Sequence, residues 1–93
     1  MIQSFGDKDT ELLFNRQRIR KLPPYLFNRA RNKLLIIHAA ANESDLNIPP
    51  GNRFEKLSGD RKGWCSIRIN DQWRVVFKWA DGNARYVTIT DYH

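Results

Sequence analysis

The fold is decided by the stretch WCSIRINDQWRVVFKWA, which runs from Trp64 to Ala80. Apolar and polar side chains alternate on both sides of three turn-forming residues, Asn70-Asp71-Gln72. Alternation with a period of two is the pattern of a half-buried β-strand, because successive side chains of a strand point to opposite faces. The stretch therefore predicts two antiparallel strands joined by a short turn, with one apolar face and one face that carries arginines.

A further strand follows this pair. Asp81-Gly82 favours a hairpin turn because both residue types tolerate positive φ, and residues 86–90 form a strand-like run. The second half of the chain thus predicts an antiparallel β-meander. Residues 42–52, which precede it, contain Asn, Ser, Asp and Pro-Pro-Gly and indicate a loop.

The first half predicts a short strand and two helices. Residues 1–5 alternate as a strand, and Asp7 or Asp9 is placed to cap a helix over residues 10–14. Pro23-Pro24 marks the start of a longer helix, because proline suits the first helical turn. The apolar positions of that helix recur at spacings of three and four: Leu26, Ala30, Leu34, Ile37 and Ala41.

Helices that precede an antiparallel sheet are typical of an α+β domain. The predicted order is a short N-terminal strand, two helices and an antiparallel β-meander. A chain of 93 residues has room for one such domain, residues 1–93. One face of the sheet is expected to pack against the helices and the other to be free to bind a partner.

Basic residues dominate the charge, which is +6 in total. No acid occurs between Glu11 and Glu43. That interval holds Arg16, Arg18, Arg20, Lys21, Arg29, Arg31 and Lys33. A surface of one sign attracts polyanions, so nucleic acid is the first expected partner. The alternative is a solvated helix face that meets an acidic protein.

Composition excludes several classes of protein. A content of 41% hydrophobic residues argues against extensive disorder. The single cysteine, Cys65, has no internal disulfide partner, and the sequence shows neither a secretion signal nor an apolar run of membrane-spanning length. We expect a soluble cytoplasmic protein with a buried Cys65 thiol and with no membrane contact, metal site or cofactor.

Two arginines are expected to face each other. If Asn70-Asp71-Gln72 is a three-residue connection, Arg68 and Arg74 lie opposite each other on one face of the hairpin. Like charges directly opposite each other destabilise a sheet, and a phosphate bound between them would relieve the repulsion. The alternative is two solvated arginines that lean apart.

Three segments together resemble the HigB-type toxins of the RelE/ParE superfamily: residues 1–5, residues 59–77 and the ending Asp91-Tyr92-His93. The Ser-Ile-Arg-Ile-Asn-x-Gln-Trp-Arg core and the terminal Asp-Tyr-His occur at that family's spacing. The resemblance implies a RelE-like toxin of a type II toxin–antitoxin system that enters the A site of the 70S ribosome and cuts messenger RNA. It also implies a HigA-like helix-turn-helix antitoxin, with the toxin a hetero-oligomer in that complex and a monomer when free.

The catalytic residues implied are Arg74, Asp91, Tyr92 and His93. In a metal-free ribonuclease the 2′-hydroxyl of the RNA is deprotonated and attacks the adjacent phosphorus, which expels the 5′-oxygen. Arg74, and with it Arg68, would stabilise the charge on the phosphate oxygens. Asp91 or His93 would be the base and His93 or Tyr92 the acid; the sequence leaves both choices open.

One departure concerns the segment before Gly59. Some relatives have a histidine and a lysine where this chain has Glu55 and Ser58. Three interpretations stay open: Glu55 is a general base, Glu55 only pairs with Lys56 or Arg53, or the toxin cuts slowly. Our expectation is that Glu55 is secondary to Arg74 and the Asp-Tyr-His ending.

Two binding surfaces are predicted. The expected RNA contacts are Arg68, Lys56, Arg61, Lys62 and Trp64, although Trp64 is open to a purely structural role. The expected antitoxin contacts are Arg16, Arg18, Arg29, Arg31 and Lys33. A noncatalytic poison on the same fold, acting on gyrase or only binding RNA or protein, is the alternative function.

Overall fold

In the part of the chain that the structure describes, a four-stranded antiparallel sheet with its strands paired in chain order forms one layer, and two helices form the other. The computed structural model describes residues 1–57, 59 and 62–91. Its elements are α1 (Lys8–Phe14), α2 (Phe27–Ala39), β1 (Glu55–Lys56), β2 (Trp64–Arg68), β3 (Trp73–Ala80) and β4 (Asn83–Asp91). Single 3₁₀ segments span Pro24–Leu26, Glu43–Asn47 and Pro50–Asn52. The predicted α+β fold, with two helices followed by an antiparallel meander, is confirmed.

Helix α1 is fixed at its start by side-chain hydrogen bonds. The Asp7 carboxylate accepts from the Thr10 backbone N–H at 2.9 Å, so Asp7 is the N-cap and the helix begins earlier than predicted. The buried Thr10 hydroxyl accepts from the backbone N–H of Ile89 at 2.9 Å. The first bond caps the helix, and the second attaches it to β4.

The N-terminal segment does not form the predicted strand ladder. Ile2 and Phe5 make isolated parallel bridges to Ala84 and Val87 of β4. The residues between and after them bond to β4 through backbone groups, with Gly6 N–H donating to the Val87 carbonyl at 2.8 Å. The segment thus lies along the outer edge of β4 and pairs with it at two points, instead of forming a continuous strand.

Two boundaries in the middle of the chain differ from expectation. Helix α2 ends at Ala39, so Ala41 is exposed and Ala40 is the buried residue at this end. The predicted loop contains two 3₁₀ segments, and β1 follows it. Because β1 has two residues, it is too short to show alternation in the sequence.

The core lies between α2 and one face of the sheet. Leu34 and Ile37 of α2 are fully buried with Ile67, Val75 and Phe77 of the sheet. The Cys65 thiol is buried among them as predicted, and burial, followed by the charge of Glu43, raises its pKa to about 12. His38 of α2 is half-buried: its Nδ1 accepts from the Ile2 N–H at 3.2 Å and its ring packs on Phe14.

Among the described residues, no helix is both long and apolar enough to cross a membrane.

Candidate active site

The β2–β3 hairpin sets the register of the site. The Asn70 side chain accepts from the backbone N–H groups of Gln72 at 2.9 Å and Trp73 at 2.7 Å, which closes the turn. In the resulting register Arg68 is the direct cross-strand partner of Arg74. The predicted juxtaposition of the two arginines is confirmed, on the sheet face away from the helices.

Arg74 is buried and held in place by neighbouring oxygens. Its exposed fraction is 7%. Nε donates to the Ser66 hydroxyl at 2.9 Å, and Nη2 donates to the Arg53 carbonyl at 2.7 Å. A guanidinium bonded along one edge has a defined plane, so its remaining N–H groups have a fixed direction.

The Arg53 carbonyl is itself positioned by a buried amide. Asn52 is fully buried and donates to the Leu46 and Ile48 carbonyls, both at 3.1 Å. Its Oδ1 accepts from Lys33 Nζ at 2.6 Å. Burial, with the nearby charges of Arg29 and Arg68, lowers the pKa of Lys33. The Asn52 contacts fix the 3₁₀ segment from which Arg53 leaves with a left-handed φ of 45°.

Glu55 lies beside Arg74. It is the cross-strand partner of Ser66, which places it on the arginine face, and its carboxylate is 4.0 Å from Arg74 Nη2. Glu55, Arg68 and Arg74 line a pocket of about 290 Å³. The Arg68 guanidinium pairs at its rim with the exposed carboxylate of Asp71. Arginines and carboxylates therefore face one small cavity.

Asp91 occupies a different position at the end of β4. It is the cross-strand partner of Trp73, while Thr90 is the partner of Arg74. The Asp91 carboxylate accepts from Gln72 Nε2 at 3.1 Å. The predicted catalytic residues Tyr92 and His93 lie outside the described residues, as do Ser58 and Arg61.

Three predicted RNA-binding residues line a second pocket of about 420 Å³: Lys56, Lys62 and Trp64. Lys56 is the partner of Cys65, so it points to the helix side of the sheet, and it forms an ion pair with Glu43 at 3.1 Å. Trp64 is half-buried near the arginine face. The predicted RNA contacts are thus divided between two pockets.

The predicted antitoxin contacts divide into exposed and internally bonded residues. Arg16, Arg18 and Arg29 are exposed. Arg31 Nε donates to the Leu13 carbonyl at 3.1 Å, which joins α2 to α1, and Lys33 binds Asn52. The last two side chains therefore also stabilise the fold.

Sequence reasoning missed Ser66, Arg53 and Asn52 as parts of the site. Ser66 lies at an alternating position that predicts the sheet face away from the core, yet it is fully buried because the Arg74 side chain covers it. The available signal in the sequence was the small, uncharged hydroxyl of Ser66 at a strand position that alternation assigns to the arginine face. Nothing in the local pattern marks the carbonyl of Arg53.

The family is decided by a match over nearly the whole chain. The model of the HigB-like toxins, described as the RelE-like toxin of the type II toxin–antitoxin system HigB, matches residues 3–93. The chain belongs to this family. As the toxin of such a system, this HigB-like toxin has an antitoxin as its partner.

Two curated relatives of this HigB-like toxin align along most or all of its length. Toxin HigB-1 of Vibrio cholerae serotype O1 is 51% identical over 85 residues, which are 90% of each chain. Endoribonuclease HigB of Proteus vulgaris is 32% identical over 93 residues, which are 100% of each chain. The predicted membership of the HigB toxins is confirmed.

Solved structures share the fold of this HigB-like toxin at low identity. The DinJ–YafQ toxin–antitoxin complex of E. coli contains a chain with a TM-score of 0.59 and 20% identity, covering 98% of this chain and 90% of that chain. The YoeB–YefM complex from Staphylococcus aureus contains one with a TM-score of 0.55 and 16% identity, covering 100% and 98%. These likenesses concern the fold alone.

Proposed function

We propose that this HigB-like toxin is an endoribonuclease that cuts messenger RNA in the A site of the ribosome. The observation that carries the proposal is the buried Arg74 guanidinium, held by Ser66 and Arg53 at a pocket that also contains Arg68. A preorganised cation stabilises charge that develops on a phosphate more than it stabilises the ground state. The full-length likeness to a relative named Endoribonuclease HigB supports the same activity.

Glu55 is the proposed general base. Its carboxylate lines the Arg74 pocket, whereas the Asp91 carboxylate accepts a hydrogen bond from Gln72. Glu55 removes the proton from the 2′-hydroxyl of the RNA, and the oxygen attacks the adjacent phosphorus. The bond to the 5′-oxygen breaks, which leaves a 2′,3′-cyclic phosphate and a 5′-hydroxyl. Glu55 thereby takes a larger part than the sequence alone suggested.

The leaving 5′-oxygen needs a proton. His93, in the Asp91-Tyr92-His93 motif of the family, is the proposed donor. Arg74 binds the non-bridging oxygens, and Arg68 adds a second positive charge once the phosphate has replaced Asp71 as its partner. Glu55, His93 and Arg74 then each have one chemical task.

Single-turnover cleavage of messenger RNA on programmed ribosomes tests this proposal. Arg74→Ala and Glu55→Gln are each expected to slow cleavage by about 10²-fold or more. Arg20→Ala, an exposed arginine remote in sequence from the pocket, is the matched control and is expected to cut at the wild-type rate. A messenger RNA with 2′-deoxyribose at the cut site should resist cleavage. Wild-type rates for folded Arg74→Ala would refute the proposal.

The proposed antitoxin is a HigA-like helix-turn-helix protein that meets the basic surface of the helical layer. Exposed Arg16, Arg18 and Arg29 suit an acidic partner surface. Arg18→Glu with Arg29→Glu should weaken the complex, most strongly at low salt, where the reversed charges are least screened. Native mass spectrometry of the co-expressed pair reports the assembly. An undiminished complex for the double variant would contradict this surface.

A further inference from the structure

Two aromatic rings stack at a distance from the Arg74 pocket. The centroids of Trp64 and Tyr86 are 5.9 Å apart, and their planes differ by 25°. Trp64 is half-buried, but Tyr86 is 51% exposed. An exposed ring whose inner face rests on a second ring offers a rigid outer face to a planar ligand.

An irregularity in β4 determines where the Tyr86 ring lies. The register between β3 and β4 shifts between Val76 and Lys78, and Tyr86 has a φ of 56°. A bulky residue rarely adopts that conformation, and such bulges often redirect a side chain near a functional site. The Ser4 hydroxyl accepts from the Tyr86 N–H at 2.9 Å, and the Thr88 hydroxyl donates to the Tyr86 carbonyl at 2.9 Å. The strained backbone is therefore held from both sides.

Two cations adjoin the stacked rings. Lys78 is the cross-strand partner of Trp64 on one side and of Arg85 on the other. Both cations are exposed, and within residues 1–57, 59 and 62–91 neither has a carboxylate within 4.0 Å. Directly opposed like charges weaken a sheet. An anion that binds between Lys78 and Arg85 would remove that repulsion.

The rings and the Arg74 pocket belong to the same face of β3. Lys78 follows Arg74 by four residues, an even number, so both side chains leave the strand on one side. The separation along the strand is about 13 Å at roughly 3.3 Å per residue. A short stretch of extended single-stranded RNA covers that distance, with one phosphate at Arg74 and another at Lys78.

We infer that Trp64, Tyr86, Lys78 and Arg85 form a second RNA subsite. In this subsite a messenger RNA base beside the cleaved phosphate stacks on Tyr86, and the two cations bind the phosphate of that nucleotide. Aromatic stacking with adjacent cations is a common way to bind single strands. The identity of the RNA as messenger rests on the proposed function. The subsite holds the strand in place and does not take part in the chemical step.

Binding of a fluorescein-labelled, fully 2′-O-methylated single-stranded RNA tests the subsite without cleavage. Tyr86→Asn removes the ring and keeps a residue that tolerates positive φ, so its Kd is expected to rise about tenfold. Tyr86→Phe keeps the ring and should bind as the wild type does. Tyr25→Asn is the matched control, because Tyr25 is 80% exposed and lies outside the subsite. Lys78→Met should reduce the slope of log Kd against log salt by about 0.7, the contribution of one phosphate contact to a single strand.

Denaturant unfolding of each variant separates binding from folding. Weak binding by Tyr86→Asn with a wild-type midpoint supports the subsite. Wild-type affinity in that variant overturns it, and so does equal weakening in Tyr25→Asn. If Tyr86→Asn proves unstable, the exposed Lys78→Met carries the test, and an unchanged salt slope then overturns the subsite.

A single abasic nucleotide in the messenger RNA identifies the strand that is bound on the ribosome. Placed next to the cut site, it should raise the toxin concentration needed for half-maximal cleavage by the wild type about tenfold, and that needed by Tyr86→Asn hardly at all. No effect on either protein would assign the contact to ribosomal RNA and overturn the messenger assignment. If ribosomes programmed with messenger RNA are never cut, the proposed endoribonuclease fails while the 2′-O-methyl RNA result still decides the subsite.

Discussion

Arg68 and Arg74 are direct cross-strand partners, yet their guanidiniums have different surroundings. Arg74 is buried against Ser66 and the Arg53 carbonyl, with Glu55 4.0 Å away. Arg68 is half-buried and pairs with Asp71. Carboxylates of the protein thus relieve the repulsion for which the sequence suggested a bound phosphate. An incoming phosphate has to compete with Asp71 for Arg68.

Replacement of Asp71 by Asn should strengthen RNA binding. The change removes the carboxylate that pairs with Arg68 and raises the net charge by one. Because Asp71 is exposed, we expect at most about a fivefold decrease in Kd for non-cleavable RNA. Asp81→Asn alters an exposed acid in another turn and controls for net charge. Equal effects of the two variants would show that charge alone, and not the release of Arg68, is responsible.

Replacement of Ser66 by Ala should impair both folding and cleavage. It leaves the buried Nε of Arg74 without its hydroxyl acceptor, which is expected to lower the free energy of unfolding by about 1 to 3 kcal/mol. The guanidinium plane also loses one of its supports, so the cleavage rate should fall while RNA affinity changes less. Denaturant unfolding and single-turnover cleavage measure the two effects. Ser44→Ala, at an exposed serine, should change neither.

Gly6 is expected to tolerate no side chain. A Cβ there would lie 1.9 Å from Thr88 Oγ1 and 2.9 Å from the Tyr86 carbonyl. Gly6→Ala should therefore lower stability by about 1 to 3 kcal/mol and disturb the Tyr86 bulge. Gly51→Ala is the control, since nothing lies within 4 Å of its Cβ. Similar unfolding midpoints for the two variants would contradict the close approach of the N-terminal segment to β4.

Asp7 should make the protein sensitive to acid. Burial raises the pKa of its carboxyl, but hydrogen bonds from Lys21 and Thr10 outweigh burial and place the pKa below its ordinary value. A group with a depressed pKa in the folded state adds stability above its unfolded pKa, and this stability is lost as the pH falls through the folded pKa. Unfolding midpoints measured below about pH 4 should therefore decline more steeply in the wild type than in Asp7→Asn.

Asp9→Asn is the control for that acid sensitivity. Asp9 lies two residues after Asp7 and, within the described part of the chain, its side chain makes no hydrogen bond or ion pair. Its replacement changes the net charge by the same amount as Asp7→Asn but removes no hydrogen bond to Lys21 or Thr10. Identical acid profiles for Asp7→Asn and the wild type would mean that Lys21 and Thr10 do not hold the charged form.

The hairpin was predictable because its determinants are local. Alternation gives each strand its face, and Asn70 closes a three-residue connection, so the pairing of Arg68 with Arg74 follows from a few neighbouring positions. The β1 strand was missed for the opposite reason. Its two residues pair with β2 after a segment that the buried Asn52 side chain holds together, and such tertiary contacts leave no periodic pattern.

The position of Asp91 relative to Arg74 could not be predicted from the alternation of side chains either. Across a regular β3–β4 ladder continued from the Ala80–Asn83 pair, Ile89 would face Arg74. The extra residue at the Tyr86 bulge shifts the pairing, so that Ile89 meets Val75 in the core and Thr90 meets Arg74. The spacing of three between the buried Ala84 and Val87 is the trace of that bulge in the sequence.

Both edges of the sheet are built in a way that disfavours pairing with a strand of another molecule. The N-terminal segment occupies the backbone groups along the β4 edge through hydrogen bonds such as Gly6 N–H to Val87. The opposite edge, β1, is two residues long and carries the charged Glu55 and Lys56. Short, charged or covered edges deter strand addition. A toxin built this way resists edge-to-edge aggregation, and an inhibitor that added a strand at the β4 edge would first have to displace residues 1–6.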